Sequence, residues 1–297
     1  MNIENINKAY LDDVLKGKIT DNLHHLGICS NDRTLDLLSE IKAVVMAGSH
    51  HRIQRMAETW ANKYLEKGSK SSVFKFPKDE RFSIFYTNGA IFCSHGMGMP
   101  SMSIALQELM KLVYYVKKGD LKQIEKIFWC RVGTSGGLVE PGTIVLTTEG
   151  LSADFKPYRL FTLGKEHVFN TTYPTECIKD IIASNTDKTI HIIKGKTIGA
   201  NDFYIEQNRL DGAIALCNEN EKMEWLKKAE KLGVKNIEME TPMMAGLLNH
   251  WGFPNFAAIC CVLVNRLNGD QVNVTHKDLD HYSINAEKTL WNYLGSI

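Results

Sequence analysis

Five short segments combine residue types that can do chemistry with spacings that let them act together. Ala47-Gly48-Ser49-His50-His51-Arg52 follows an apolar run and opens a helical pattern, so unpaired backbone N–H groups and the positive end of a helix dipole meet there. That arrangement suits an anion, although the segment lacks the Gly-Lys-Ser/Thr ending of a P-loop and a plain strand-to-helix turn reads the same way. Cys130-Arg131-Val132-Gly133-Thr134-Ser135-Gly136-Gly137 places an arginine at a strand end, ahead of three glycines that let backbone approach a ligand. A buried guanidinium is costly unless paired, so its partner is either an anionic substrate or a carboxylate in a structural ion pair. Ser94-His95-Gly96-Met97-Gly98-Met99-Pro100 again joins a strand to a helix through glycines. Gln207 and Arg209 stand two apart in an aromatic-bearing loop, Asp202 to Gly212. The amide offers a donor and an acceptor to the adjacent N–H and C=O of a cyclic imide, and the guanidinium donates to a second carbonyl, which complements the edge of a pyrimidine base. A charged turn over the core is the competing reading. Finally, Glu238 and Glu240 are spaced so that both point to one face of a strand. Paired carboxylates suit sugar hydroxyls or a metal; two solvated strand charges are the alternative, which the apolar run Pro242 to Leu248 makes less apt.

The elements that must hold these segments follow from periodicity. Ala43–Met46 reads as a strand, followed by an amphipathic helix carrying Ile53, Met56, Ala57, Trp60, Ala61, Tyr64 and Leu65. Phe82–Tyr86 and Ala90–Cys93 flank Thr87-Asn88-Gly89, whose Asn-Gly pair supplies the positive φ of a hairpin turn. A helix runs from Ser101 to about Val116, with Met102, Ala105, Leu106, Leu109, Met110 and Val113 on one face. Ile127–Val132, Ile144–Thr147 and Ile190–Ile193 read as strands, then Glu219–Lys231 as a polar helix, Asn236–Glu240 as a strand, Pro242–His250 as a helix, Phe256–Val264 as a buried strand and Ser283–Leu294 as a closing helix. Alternating strands and helices favour an α/β fold, a mixed or parallel sheet with helices on both faces. No linker, repeat or low-complexity segment divides the chain, so residues 1–297 read as one domain, with 1–20 as an N-terminal extension. Lys67 to Glu80 is the most polar loop, and whether its 69–80 stretch closes over a ligand is open.

Composition narrows the field. The 297 residues carry 35 Lys+Arg against 34 Asp+Glu, a formal charge of +1 that calls for neither nucleic acid nor an acidic membrane. At 44% hydrophobic and 9% aromatic residues the chain can bury a full core. Its longest apolar stretch, Phe256 to Val264, falls far short of the ~20 residues of a bilayer crossing, and the acid-bearing N-terminus does not read as a secretory signal. Seven cysteines without C-x-x-C spacing read as reduced thiols, hence a cytoplasmic protein, and the paired histidines 24/25 and 50/51 lack metal-ligand spacing, so no metal site is expected.

Taken together the segments resemble the nucleoside phosphorylase-I family, in its uridine-cleaving animal-type branch, from about His25 to Arg266. The resemblance is carried by HLGI (25–28), AGSHHR (47–52), SHGMGMPS (94–101), RVGTSGG (131–137), DFYIEQNRLDGA (202–213), NIEMETP (236–242) and LVNRLNGDQ (263–271), in the family's order and at its approximate spacing. It implies a three-layer αβα sandwich around a mixed, twisted sheet. It also implies reversible phosphorolysis of uridine to uracil and ribose 1-phosphate in pyrimidine salvage, with 2′-deoxy substrates left open. No cofactor is implied; inorganic phosphate is the co-substrate. Phosphate would be held by Gly48, Arg52, Arg131 and Thr134, with Arg81 supplied across a homodimer interface. Uracil would meet Thr134, Gly136, Phe203, Gln207, Arg209, Leu263 and Val264. Ribose would meet Glu238, Met239, Glu240 and the partner's contribution, His25. Arg52, Arg131, Gln207, Arg209 and Glu240 would carry the catalysis. Relatives commonly place proline where this chain has His50, which implies a less restrained phosphate loop. Asn265, where purine-cleaving relatives usually carry aspartate, points to pyrimidine. A purine nucleoside phosphorylase, a nucleosidase and a non-catalytic nucleoside-binding paralogue are the alternatives.

Overall fold

The structure is a computed structural model and describes residues 6–65, 72–76 and 81–296, with the side chains of residues 64 and 65 not described. Residues 1–5 of the N-terminal extension and most of the polar 67–80 loop therefore lie outside the described residues, as do the side chains at the last two apolar positions of the first amphipathic helix. The chain divides into two compact units, Met1–Cys130 with His250–Asn255, and Arg131–Asn249 with Phe256–Ile297.

The first unit runs through α1 (Lys8–Leu15), β1 (Asn22–Leu23), β2 (Ile28–Cys29), β3 (Ala43–Ala47), α2 (His50–Leu65), β4 (Phe74–Lys75), β5 (Ile84–Thr87), β6 (Ala90–Ser94), α3 (Met99–Val116) and α4 (Leu121–Ile124), and into the start of β7 (Phe128–Gly137). β3 pairs in parallel with β6, which pairs antiparallel with β5, and β5 with β4. The β5–β6 turn uses the expected conformation: Asn88 has φ 47° and Gly89 φ 75°. The helical stripe is buried as its spacing requires, with Ile53, Met56, Ala57, Trp60 and Ala61 inside. α3 begins at Met99 rather than Ser101, because Gly98 takes φ 87° at the cap and proline is tolerated in a first turn.

The second unit continues with β8 (Ile144–Leu151), the hairpin β9 (Arg159–Thr162) and β10 (Lys165–Val168), α5 (Thr175–Ser184), β11 (Ile192–Gly199), α6 (Glu219–Lys231), β12 (Val234–Glu238), α7 (Thr241–Trp251), β13 (Phe256–Asn265) and α8 (His276–Leu294). Its strand order is β12-β11-β8-β13-β7, and β12 turns back to pair antiparallel with the end of β7, Asn236 opposite Gly137 and Ile237 opposite Gly136. β11 is parallel to both β8 and β12, whereas β13 is antiparallel to β8. The fold is thus mixed α/β around a mixed sheet, as the alternation of elements implied. A buried polar ladder crosses these strands: Thr147 Oγ1 to Thr197 Oγ1 at 2.7 Å, Thr197 Oγ1 to Asn236 Oδ1 at 2.7 Å, and Asn236 Nδ2 to Ser135 Oγ at 3.2 Å. Among the described residues no helix is long and apolar enough to cross a membrane.

Two local expectations change in ways that matter for the site. The strand expected to stop at Val132 runs on to Gly137, so Gly133, Gly136 and Gly137 are strand residues, not a loop. Their missing Cβ atoms make room for neighbours: a Cβ on Gly137 would lie 2.8 Å from both Val262 methyls, and one on Gly136 3.2 Å from Arg266 Cγ. The strand expected over Asn236–Glu240 ends at Glu238 instead. The Glu238 carboxylate accepts the backbone N–H of Glu240 at 3.0 Å and of Thr241 at 2.9 Å, which turns the chain into α7. Pro242 then seats on Gly150 and Gly199, where any side chain would collide with it.

Candidate active site

In the second unit, β7 delivers Arg131 to the two glutamates at the β12–α7 turn. The Arg131 side chain lies flat over Gly133, two residues along the same strand face, and a Cβ on that glycine would be 2.5 Å from Nη1. Nη2 sits 3.0 Å from Glu238 Oε2 and also donates to Glu240 Oε2, while Nη1 donates to Cys260 Sγ at 2.9 Å. All three charged side chains are buried. Of the two partners left open by the sequence, the structure gives Arg131 carboxylates, and they are the two glutamates that stood out on their own. The pair does not act through strand alternation, since Glu240 lies beyond the strand end; the Glu238 cap bends the chain so that both carboxylates reach one guanidinium.

Two carboxylates around one guanidinium leave an excess negative charge in a dry place. Burial pushes Glu238 up to about 7, Arg131 opposing and Glu240 adding to the rise. Burial works against the charge on Arg131, but Glu238 and Glu240 outweigh it and hold the guanidinium well above its ordinary value. Burial also raises the Cys260 thiol, to about 11, so it meets Arg131 as a neutral group. A strongly perturbed acid beside a shared cation is a mark of functional sites, one that structural ion-pair networks share.

A second cluster in the same unit gathers the residues matched to the base. The virtual Cβ of Gly136 is 3.7 Å from Val264 Cγ1 and packs on the Arg266 stem. Arg266 Nη2 donates to the Gln207 carbonyl at 2.9 Å. Arg209 lies over the Phe203 ring at 4.5 Å from its centroid and 5.6 Å from that of Tyr204. Its Nε and Nη2 grip Asp211 at 2.8 and 2.5 Å, and Gln271 Nε2 holds the same carboxylate at 2.5 Å. Phe203 is thus a platform for the guanidinium. Leu263 and Val264 are half-buried at the end of β13, as is Thr134 on β7 and Met239 at the β12–α7 turn.

Asp270 is the hub of this cluster. Its carboxylate accepts Arg266 Nε at 2.7 Å, Lys222 Nζ at 3.2 Å and the Leu210 N–H at 3.0 Å, and its carbonyl accepts Arg209 Nη2 at 3.1 Å. Burial works to raise this acid, but the Leu210 N–H, Arg266 and Lys222 together hold it below the usual carboxylate range. Sequence reasoning assigned no role to Asp211, Lys222, Arg266 or Asp270. Arg266 and Asp270 stand four apart in the motif LVNRLNGDQ, and that spacing was the available signal. Arg266 is fully buried, with Nη1 lacking a protein acceptor among the described residues. Asn265 caps the short turn after β13 by accepting the Leu267 N–H at 3.1 Å, and its amide donates to Glu140 at 3.2 Å.

The first unit holds the remaining residues. Gly48 leads into α2 with little room for a side chain, since a Cβ would meet the Gly96 carbonyl at 3.0 Å; the two glycine-bearing strand-to-helix loops therefore lie against each other, joined by His95 N–H to the Ala47 carbonyl at 2.9 Å. Ser49 Oγ accepts the Arg52 N–H at 3.3 Å, an N-cap contact. His50, where proline was the family's habit, is tied down by its side chain instead: Nδ1 meets Ser83 Oγ at 2.6 Å and the ring tilts on Phe85. His25 Nδ1 meets Glu108 Oε1 at 2.6 Å, and Glu108 Oε2 also accepts the backbone N–H of His25 and Leu26 at 3.1 and 3.0 Å. The Phe82 N–H donates to the His25 carbonyl at 3.3 Å, so half-buried His25 lies beside the segment that carries exposed Arg81.

A family model of the phosphorylase superfamily matches residues 42–294. The chain belongs to that superfamily. Within it the similarity is to uridine phosphorylases: the chain is 33% identical over 286 residues to the Caenorhabditis elegans uridine and thymidine phosphorylase, covering 95% of this chain and 91% of that one. It is 31% identical over 268 residues to inactive uridine phosphorylase B of Schistosoma mansoni, covering 86% and 85%. A crystal structure of Schistosoma mansoni uridine phosphorylase in complex with uracil superimposes with a TM-score of 0.85 at 28% identity, covering 98% of both chains.

Proposed function

We propose that the protein catalyses reversible phosphorolysis of uridine, giving uracil and ribose 1-phosphate. The observation that carries the reading is the base cluster, in which Gln207, Arg209 and Arg266 are drawn together beside Gly136 and Val264 by contacts of 2.7–3.1 Å around Asp270. Arg209, Arg266 and Lys222 bring three cationic donors to this cluster, held by Asp211, Asp270 and, at Lys222, Glu219. Uracil leaves with negative charge developing on its ring, so these donors bind the transition state more strongly than the nucleoside. Phosphate is assigned to Gly48, Arg52, Arg131 and Thr134, with Arg81 of a neighbouring subunit. It serves as nucleophile and as counter-charge to an oxocarbenium-like sugar, so the step calls for no cofactor. Glu240 and Met239 meet the ribose. Glu238 caps α7 and shares Arg131 with Glu240, which supports a role in setting the ribose face.

A homodimer with shared sites supplies His25 and Arg81. The backbone contact between His25 and the residue after Arg81 keeps the two segments together, which supports their joint contribution, and Glu108, by taking Nδ1, leaves Nε2 of His25 to meet the 5′-hydroxyl. Seven free thiols fit a cytoplasmic location. The test is to follow uracil release from uridine with and without phosphate, with inosine alongside. Release that requires phosphate and spares inosine is the expected result; inosine cleavage, or release without phosphate, would overturn it. A silent nucleoside binder is the second reading, favoured by the similarity to an inactive relative, and uracil binding without turnover would select it.

A further inference from the structure

We propose that Asp270 is the positioning residue for base recognition, holding Gln207 and Arg209 at once through one carboxylate and one carbonyl. The inference rests on the uridine reading. Gln207 and Arg209 sit on an irregular loop, whose backbone has no sheet ladder to fix it. What fixes it is Asp270. Through Arg266 its Oδ1 reaches the Gln207 carbonyl, in contacts of 2.7 and 2.9 Å. Through Oδ2 it holds the Leu210 N–H, between Arg209 and Asp211, at 3.0 Å. Through its own carbonyl it takes Arg209 Nη2 at 3.1 Å. Asp211 takes Nε and the same Nη2, so two acceptors together set the orientation of Arg209. Asp270 follows the short turn Arg266–Asn268 after β13, and its ion pair with Arg266, which is fully buried at the end of that strand, links the irregular Gln207–Arg209 backbone to the sheet.

Charge and position predict opposite effects of removing this acid, which makes the role separable. Asp270→Asn adds one net positive charge to the cluster and so, by electrostatics alone, favours an anionic leaving group. As a positioning residue its loss does the reverse. The expected result for Asp270→Asn is a uridine KM raised by roughly tenfold or more, in the range seen when partners behind a binding group are lost, with the phosphate KM within about twofold of wild type and lower kcat. Hydrogen exchange of the uncomplexed protein reads the loop directly. The Leu210 amide should be protected in wild type and exchange faster in Asp270→Asn, while the β8 and β13 amides keep their protection. Should the variant fail to fold, the wild-type Leu210 amide still decides: exchange at the rate of an open loop overturns the proposal. So does Asp270→Asn with unchanged or lower uridine KM. A wild-type chain that releases no uracil overturns the activity on which the role rests, whereas activity with an Asp270→Asn variant indistinguishable from wild type overturns the role alone.

Discussion

Gly133→Ala puts one methyl where Arg131 now lies. The added Cβ would stand 2.5 Å from Nη1, 2.9 Å from Cζ and 3.0 Å from Nη2, against 3.4 Å for the near edge of ordinary contact. The backbone at this point is a paired strand and cannot retreat, so the guanidinium must rise by about 1 Å. Its contacts at 3.0 Å to Glu238 and 2.9 Å to Cys260 cannot both survive that shift. Two costs follow. Overpacking a filled interior costs about 1–3 kcal/mol, and a misplacement of roughly 1 Å at a reacting centre can cost on the order of 10²-fold in rate. The expected variant is folded, a few degrees less stable, and reduced on the order of 10²-fold in kcat/KM for phosphate. Uracil release at varied phosphate concentration, together with a thermal melt, measures both. A Gly133→Ala enzyme with wild-type phosphate kinetics would refute the claim that this strand glycine exists to seat Arg131.

Three further outcomes are expected. The folded-state value of about 7 for Glu238 lies above its ordinary 4.5, so the unfolded chain gives up this proton first and the acid withdraws stability as pH rises from about 4.5 to about 7. Denaturation of wild type and Glu238→Gln across that range should show the variant gaining relative stability toward pH 7; parallel curves would count against it. Arg81→Ala, at an exposed position, should raise the phosphate KM while shifting stability by no more than about 0.5 kcal/mol. Mixing it with Arg209→Ala should recover activity through heterodimers in which one site is whole, and no recovery under conditions of subunit exchange would sink the shared site. His50→Ala should cost about 1 kcal/mol through the lost Ser83 contact and raise the phosphate KM. His50→Pro, at the first residue of α2, should keep the phosphate KM, because a proline ring presets that backbone; an inert His50→Ala would show that the loop needs no such tether.

The sequence by itself determined the element types wherever a periodic pattern faced a core. The α2 stripe, α3 and α6 lie within a few residues of where spacing placed them, since burial of one face dictates a period of 3.6; the Asn-Gly turn and β13 were legible from turn chemistry and from an unbroken apolar run. Among the elements it missed are α1, the β1–β2 pair, α4, the β9–β10 hairpin, α5, the first seven residues of α8 and much of β11. The α8 start carried a legible signal, the Thr275/Asp278 capping box; the exposed β9–β10 hairpin carried none, because its residues are largely solvent-facing and show no alternation.

Residue chemistry was legible too: an arginine beside glycines, an amide two residues from a guanidinium, two close carboxylates. Which of them meet was not. That Glu238 and Glu240 share Arg131 depends on a strand ending two residues early, and that ending is produced by the Glu238 cap in contact with a helix start. Gly133 serves Arg131 within one strand, but that Arg131 meets Cys260, and that Asp270 ties Gln207 to Arg209, depends on pairings between segments 129 and 60 residues apart. Local sequence sets what each residue can do and which way a regular element turns it. The tertiary fold decides the partner, because a buried charge takes its meaning from whichever opposite charge the strand pairing brings within about 3 Å.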